Sequence, residues 1–555
     1  MKQNMKKIFL FLIMSVAICL SNLQAQKSNM IFSEKTPESE DNVGSKICLL
    51  KNGNTIFLQF TKDKGIYRVL YDANKKKITE GKLPFKLLGD IMKGYNIAGI
   101  FEVNNDLMIM FGGFSNRAPT LYRLLLDGTT GLVKKEEAIL EMTPLPTGAG
   151  YAIEFKDIPL PSFAVEKDPV SDYYAVVALN TFASETNKRI QVAHFSPLHV
   201  QLSKAYFISP DSRFKFSDFT DIFVYGENAV ILSTYVYNTK SNKNDKDDFV
   251  FYLSKLSKNA TTFVNTTLPY IIEIPDAECE FTYDATSKNV NAVIKTYDGI
   301  DKKSRSFVYS FIVQPFNPGS MALGKMYKYS LEKANAYYTS KVNIGKPYTG
   351  MIQNIITDQS GNNLLLNEMP TTYDVTTSNS TYTTSETINT LLENIAVTSV
   401  SQDGKENYSV IIPYNHFILN GSSSFNYIDN KKGRFKCAIS DKYYGACVDL
   451  VAGQKNNYVL LNNTVKNVER PESDKSIDGN IKGGSGWITA VLYTISSNGT
   501  LTKQFLFDKP AAENIIKYCL FQTADFNSST GTYAVLVSEK IKGKKMNSIV
   551  WFNLE

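Results

Sequence analysis

One arrangement recurs along this chain of 555 residues: a cluster of turn-forming residues followed at once by a short apolar strand. It occurs at "KNGN" (51) before "TIFLQF", "VNND" (103) before "LMIMFGG", "DPVSD" (168) before "YYAVVALN" and "YGEN" (225) before "AVILSTYVY". It returns at "DATSKN" (284) before "VNAVIKTY", "DQSGN" (358) before "LLLNE", "GQKNN" (453) before "YVLLNN" and "FNSSTG" (526) before "TYAVLVSE". Asn, Gly, Asp and Ser tolerate the backbone angles of tight turns, whereas β-branched and aromatic residues suit a pleated surface. The chain therefore reads as short strands throughout, with no long helical period.

A second hairpin follows several of these signals, as in "GIYRVLYDANKKKITEGKLPF" (65–85), "FVFYLSKLSKNATTFVNTTLP" (249–269) and "WITAVLYTISSNGTLTKQFLF" (487–507). Two hairpins make a four-stranded antiparallel unit, and one such unit cannot bury both of its faces alone. Radial repetition solves this, because each small sheet packs between two neighbours. The expected fold is all-β: a single closed β-propeller of eight four-stranded blades over residues 47–555, with seven blades or two smaller β domains as the alternative. The spacing is looser than that of WD repeats, and neither the GH nor the WD signature occurs. The last strand, "SIVWFNL", lacks a hairpin partner, and a bare apolar edge invites aggregation. Residues 26–46, and "SNMIFSEK" (28–35) in particular, are expected to supply the missing outer strand. In this pattern the chain resembles exported bacterial β-propeller proteins as a class. The resemblance spans nearly everything after residue 25 but includes no family motif, so it transfers no functional residue.

The opening "MKQNMKKIFLFLIMSVAICLSNLQAQ" places Lys2, Lys6 and Lys7 before an apolar stretch from Ile8 to Leu20. That is the layout of a secretory signal, and it is too short for a membrane span. Residues 1–25 are read as a signal peptide and the remainder as exported, to the periplasm, cell surface or medium. The net charge of +6 includes those three lysines, so the remaining surplus is too small to suggest nucleic acid. Of six cysteines, Cys19 falls in the signal segment, and the five beyond it, Cys48, Cys279, Cys437, Cys447 and Cys519, are an odd number, unlike a disulfide framework. Cys437 and Cys447 flank "DKYYG" and are the one candidate disulfide, against ordinary burial. No C-x-x-C occurs.

The longest segments between strands are "TKSNKNDKDD" (239–248), "DGIDKKSR" (298–305), "MPTTYDVTTSNSTYTTSETINT" (369–390), "YNHFILNGSSSFNYIDNKKGRFK" (414–436) and "NTVKNVERPESDKSIDGNIKGGSG" (463–486). In a propeller all five lie on one face, and long loops are usually functional or disordered. The last three belong to consecutive units. They would bring together Tyr373, Tyr382, His416, Tyr427, Arg470 and Trp487, a set of aromatic faces and a guanidinium suited to stacking on sugars or clamping a polypeptide. The plain alternative is a group of solvated loops.

Motif chemistry is absent. Of the three histidines, His194 and His199 sit in "HFSPLH", read as an exposed hairpin turn rather than a metal site. No H-E-x-x-H, Walker sequence, G-x-G-x-x-G or G-x-S-x-G elbow occurs, and Asp245, Asp247 and Asp248 lack the order of a calcium loop. No cofactor or metal is indicated. The reading favours a monomeric binding or scaffold protein with a protein or glycan partner. The alternative is a carbohydrate-active enzyme, a glycoside hydrolase or lyase, with carboxylates converging at the channel mouth.

Overall fold

The structure is a computed structural model that describes residues 30–38, 42–61, 65–84, 86–87, 96–155, 158–211, 214–238, 249–268, 279–300, 307–329, 331–342, 348–379, 383–418, 448–470, 488–509, 517–541 and 543–555. The signal segment, Cys437 and Cys447 lie outside these residues. Among them, strands dominate and pair as six four-stranded antiparallel sheets and one nine-stranded sheet. The nine-stranded sheet is two antiparallel units joined by a single parallel pairing, Thr489 with Lys517. In chain order we number the units sheets 1 to 8, spanning residues 42–82, 96–141, 162–206, 216–267, 279–328, 351–418, 448–505 and 517–553. The first strand of sheet 1 begins at Asn42, ahead of the expected start at 47.

Each of the eight apolar runs singled out in the sequence forms the second strand of its sheet. Ala229–Tyr237 and Asn457–Thr464 are buried at every residue, because both faces of these strands are covered. Fourth strands face solvent and read accordingly, as in Lys77–Lys82. Burial thus falls from the middle of each sheet to its outer edge. Cys48, Cys279 and Cys519 are buried and sit in the first strands of sheets 1, 5 and 8.

The cores lie between sheets rather than within them. Separate apolar clusters join sheets 1 and 2, 2 and 3, 3 and 4, 4 and 5, 5 and 6, 6 and 7, and 7 and 8. A further cluster packs Ile47, Val69 and Tyr71 of sheet 1 against Ala534, Leu536, Ile549 and Trp551 of sheet 8. Trp551 Nε1 donates to Thr55 Oγ1 at 3.1 Å, and Leu49 N donates to Asp525 Oδ2 at 2.8 Å across the same junction. Sheet 8 takes its outer strand from the start of the described chain: Ile31 pairs with Trp551, Phe32 with Val550, Thr36 with Asn547 and Pro37 with Met546.

Two sequence expectations require correction. Residues 369–390, expected as a loop, lie within or between two strands, Asn363–Asn379 and Thr383–Val400, that continue sheet 6 as a two-stranded ribbon. The segment is rich in threonine, a β-branched residue, so β propensity and a continuous hydrogen-bond ladder override the loop-like Ser/Thr composition. The histidines of "HFSPLH" are likewise not an exposed pair. His194 is fully buried, with Nε2 bonded to Gly226 O at 2.9 Å. His199 holds a left-handed φ of 64° and places Nδ1 at 3.0 Å from the Tyr174 hydroxyl.

Candidate functional site

Sheets 6 and 7 share a packed junction bridged by side chains. Asn463 is the penultimate residue of the second strand of sheet 7, and its Nδ2 donates to Pro413 O of sheet 6 at 2.9 Å and to the Tyr493 hydroxyl at 3.1 Å. Its Oδ1 accepts from Thr464 N and from Asn467 Nδ2. Thr464 caps the short helix Val465–Glu469 through Oγ1, which accepts from Asn467 N at 3.2 Å. A hydroxyl at this position satisfies an N–H that the first helical turn leaves free. The helix turns Val468 into the apolar cluster that contains Tyr414 of sheet 6. Arg470 follows at the helix end, and its carbonyl accepts from Lys503 Nζ at 3.2 Å.

His416 lies two residues beyond Tyr414 and stacks on it, with centroids 6.2 Å apart and planes at 21°. It stands opposite Leu392, which belongs to the cluster shared with sheet 7, so strand geometry points its ring toward that sheet. His416 is 1% exposed and both ring nitrogens lack a hydrogen-bond partner among the described residues. Burial pushes its pKa down to about 4, which keeps the ring neutral at pH 7. Arg470 repeats the pattern: Nε and Nη2 are buried and have no partner among the described residues. A guanidinium remains protonated at any ordinary pH, so two orphaned N–H donors on one planar edge are costly.

Of the six residues the sequence nominated, His416 stands two residues from Tyr414 and Arg470 two residues from Val468, and Tyr414 and Val468 share the apolar cluster between sheets 6 and 7. His416 is not presented as a surface aromatic, because the neighbouring sheet covers it. Tyr373 stands in the ribbon opposite Asn389, three ladder positions beyond the row Pro370, Leu392, His416. At strand spacing that is about 10 Å along the sheet. Tyr382, Tyr427 and Trp487 lie outside the described residues, as do 239–248, 419–447 and 471–487. Sequence reasoning missed Asn463 and the helix it anchors. The signal was present in "NNTVKNVE", where Thr464 precedes a short helical run.

No protein-family description matches the chain, and no curated protein does. Solved structures similar to it include a polysaccharide lyase of the PL25 ulvan lyase family, at 9% identity and a TM-score of 0.36 over 92% of this chain and 95% of the other. The polysaccharide lyase Uly1 gives 9% identity and 0.33 over 82% and 90%. A prolyl endopeptidase gives 10% and 0.38 over 90% of this chain and 55% of its own. Similarity this loose transfers no residue and no reaction.

Two other features hold charge or space. At the first turns of sheets 1 to 3, both Glu102 oxygens accept from Lys51 N at 2.9 and 3.1 Å. Lys51 Nζ pairs with Asp172 at 2.9 Å and Lys167 Nζ does so at 3.1 Å, while Asn104 N donates to the other Asp172 oxygen. Burial raises the Glu102 pKa. Burial acts the same way on Asp172, but the bonds from Lys51, Asn104 and Lys167 outweigh it and its pKa falls. A cavity of 410 Å³ opens between sheets 1 and 8, lined by Phe57, Tyr67, Tyr71, Lys77 and Asn547 among others. Among the described residues, no three His, Cys, Asp or Glu side chains gather to hold a metal, and no helix is long and apolar enough to cross a membrane.

Proposed function

We propose that this protein is an exported β-propeller of eight blades that binds a glycan at the junction of sheets 6 and 7. The closed ring is supported by the cycle of shared cores, in which sheet 8 packs on sheet 1 as each other sheet packs on the next. Binding rests on one observation: His416 and Arg470, each two residues from a member of the cluster shared by sheets 6 and 7, hold buried polar nitrogens with no partner among the described residues. Buried polar atoms are nearly always paired, so such a group of orphans marks a place for an outside acceptor.

A glycan is favoured over a protein partner by what surrounds this junction. The exposed large apolar side chains among the residues whose burial is described, from Ile31 to Met326, all lie outside sheets 6 and 7. A protein interface would need a buried apolar centre there. The test is a glycan array probed with the exported chain and with Arg470→Ala. Arrayed glycans bound by the wild type should be held more than tenfold more weakly by the variant, with its melting temperature unchanged. No bound glycan, or equal binding by both proteins, would remove this reading.

A carbohydrate-active enzyme is the second reading, and the specific observation favouring it is the Glu102 and Asp172 pair, whose pKa values diverge. Both carboxylates are engaged by Lys51, which suits a strut joining three sheets better than a proton-transfer pair.

A further inference from the structure

The cavity of 410 Å³ between sheets 1 and 8 falls within the range of small-ligand sites, about 300–1,000 Å³. Second strands such as Ala229–Tyr237 and Asn457–Thr464 are buried at every residue, whereas Phe57 and Gln59 in the second strand of sheet 1, and Tyr67 in the third, remain half-buried. All three line the cavity. They alternate with Ile56, Leu58 and Ile66, which pack on sheet 2, so their side chains face sheet 8. From sheet 8, Asn547 shares a strand face with Ile549 and Trp551, which pack on sheet 1. Asn547 also lines the cavity, is 7% exposed, and leaves Oδ1 without a partner among the described residues. The N-terminal seam, from Ser33 to Pro37, closes the remaining side.

The charges of the lining balance. Glu34 and Glu80 are matched by Lys77 and Lys82, and Lys77 Nζ bridges the two carboxylates at 3.0 and 3.2 Å. A charged ligand therefore gains little from this cavity. A purely apolar one would cover the amides of Gln59 and Asn547 without pairing them, which costs free energy. We propose that the cavity takes one neutral sugar ring, with its C–H face on the aromatic wall of Phe57 and Tyr67 and its hydroxyls bonded to the Gln59 and Asn547 amides. An amide both donates and accepts, which suits a hydroxyl that does the same. This site is independent of the glycan reading at sheets 6 and 7, and its occupant touches both ends of the chain.

The experiment is calorimetric titration of the exported chain with methyl glucoside, methyl galactoside and methyl mannoside as neutral probes, glucuronate as the charged probe and p-cresol as the apolar one. Gln59→Ala, Tyr67→Ala and Arg470→Ala are run in parallel, each with a thermal melt to establish folding. At least one methyl glycoside should bind, and at least tenfold more tightly than glucuronate or p-cresol. Gln59→Ala and Tyr67→Ala should each weaken it at least tenfold, while Arg470→Ala leaves it unchanged. Where Tyr67→Ala lowers the melting temperature, the half-buried Gln59 decides. Binding of none of the methyl glycosides, or preference for p-cresol or glucuronate, would overturn the sugar. Binding that ignores Gln59→Ala and falls with Arg470→Ala would overturn this site and leave the one at sheets 6 and 7 standing.

Discussion

Tyr348 is a residue whose part in the fold far exceeds its size. It precedes the first strand of sheet 6 and is nearly fully buried. Its hydroxyl lies 2.9 Å from Asn367 O and 3.1 Å from Asn394 O, and accepts from Ala396 N at 3.1 Å. The strand register shifts at these positions, between Asn367 and Met369 and between Glu393 and Ile395, where the ribbon leaves the sheet. Bulges leave backbone groups unpaired and redirect a strand, and here one phenol occupies the gap. Tyr348→Phe should therefore cost about 1–3 kcal/mol, read as a lower urea midpoint with an unchanged slope. A second expectation concerns His194, whose pKa burial pushes down to about 4. The unfolded value is near 6.5, so the native state binds fewer protons between pH 6.5 and 4. Stability is full above that window and is lost as pH falls through it, at up to about 1.4 kcal/mol per pH unit for each such histidine. Urea unfolding at pH 7, 6 and 5 should show a shallower decline for His194→Gln than for wild type; equal slopes would refute the assignment.

At the scale of elements, the two ends of the chain show how a strand gains meaning from its partner. Ile31–Phe32 and Thr36–Pro37 are too short to be stable alone, yet they cover the exposed ladder of Lys544–Asn553. Ser33 adds to the seam, its N donating to Ile549 O and its Oγ accepting from Ile549 N, both at 2.9 Å. Removing residues 26–40 uncovers that edge. For a chain of this length the melting temperature should fall by roughly 3–5 °C, and association should rise with concentration as bare edges pair. A variant that melts with the wild type and remains monomeric would show that the seam is dispensable. The ribbon of sheet 6 works in the other direction, continuing the second and third strands past the register shift and carrying Tyr373 with it.

The whole molecule is held by contacts between sheets, and each junction has the same construction. Second and third strands offer apolar residues to both neighbours, and sheet 6 adds a small core of its own, where Ala396 and Ile411 pack against Ala334, Tyr338 and Tyr348. Sheet 8 packs on sheet 1 through Trp551, which meets the Tyr71 ring edge-on at 5.0 Å. A closed ring predicts a compact chain, with a radius of gyration of about 24 Å in solution scattering. An open arc of the same sheets would be clearly larger.

The repeat and the strands were legible in the sequence, because an apolar run after a turn signal is a local property. The pairing of "SNMIFSEK" with the last strand was legible for the same reason, since an unpartnered apolar edge needs cover. Residues 369–390 were misread because composition outweighed alternation: Ser and Thr suggest a loop, while their spacing suits a strand. The histidines were misread because burial depends on what packs against a strand, and no local pattern encodes the neighbouring sheet. The same holds for His416 and Arg470. Sequence placed both in adjacent units, but only the packing of sheet 6 on sheet 7, with Asn463 bonded across the junction, buried their nitrogens and left them without a partner among the described residues.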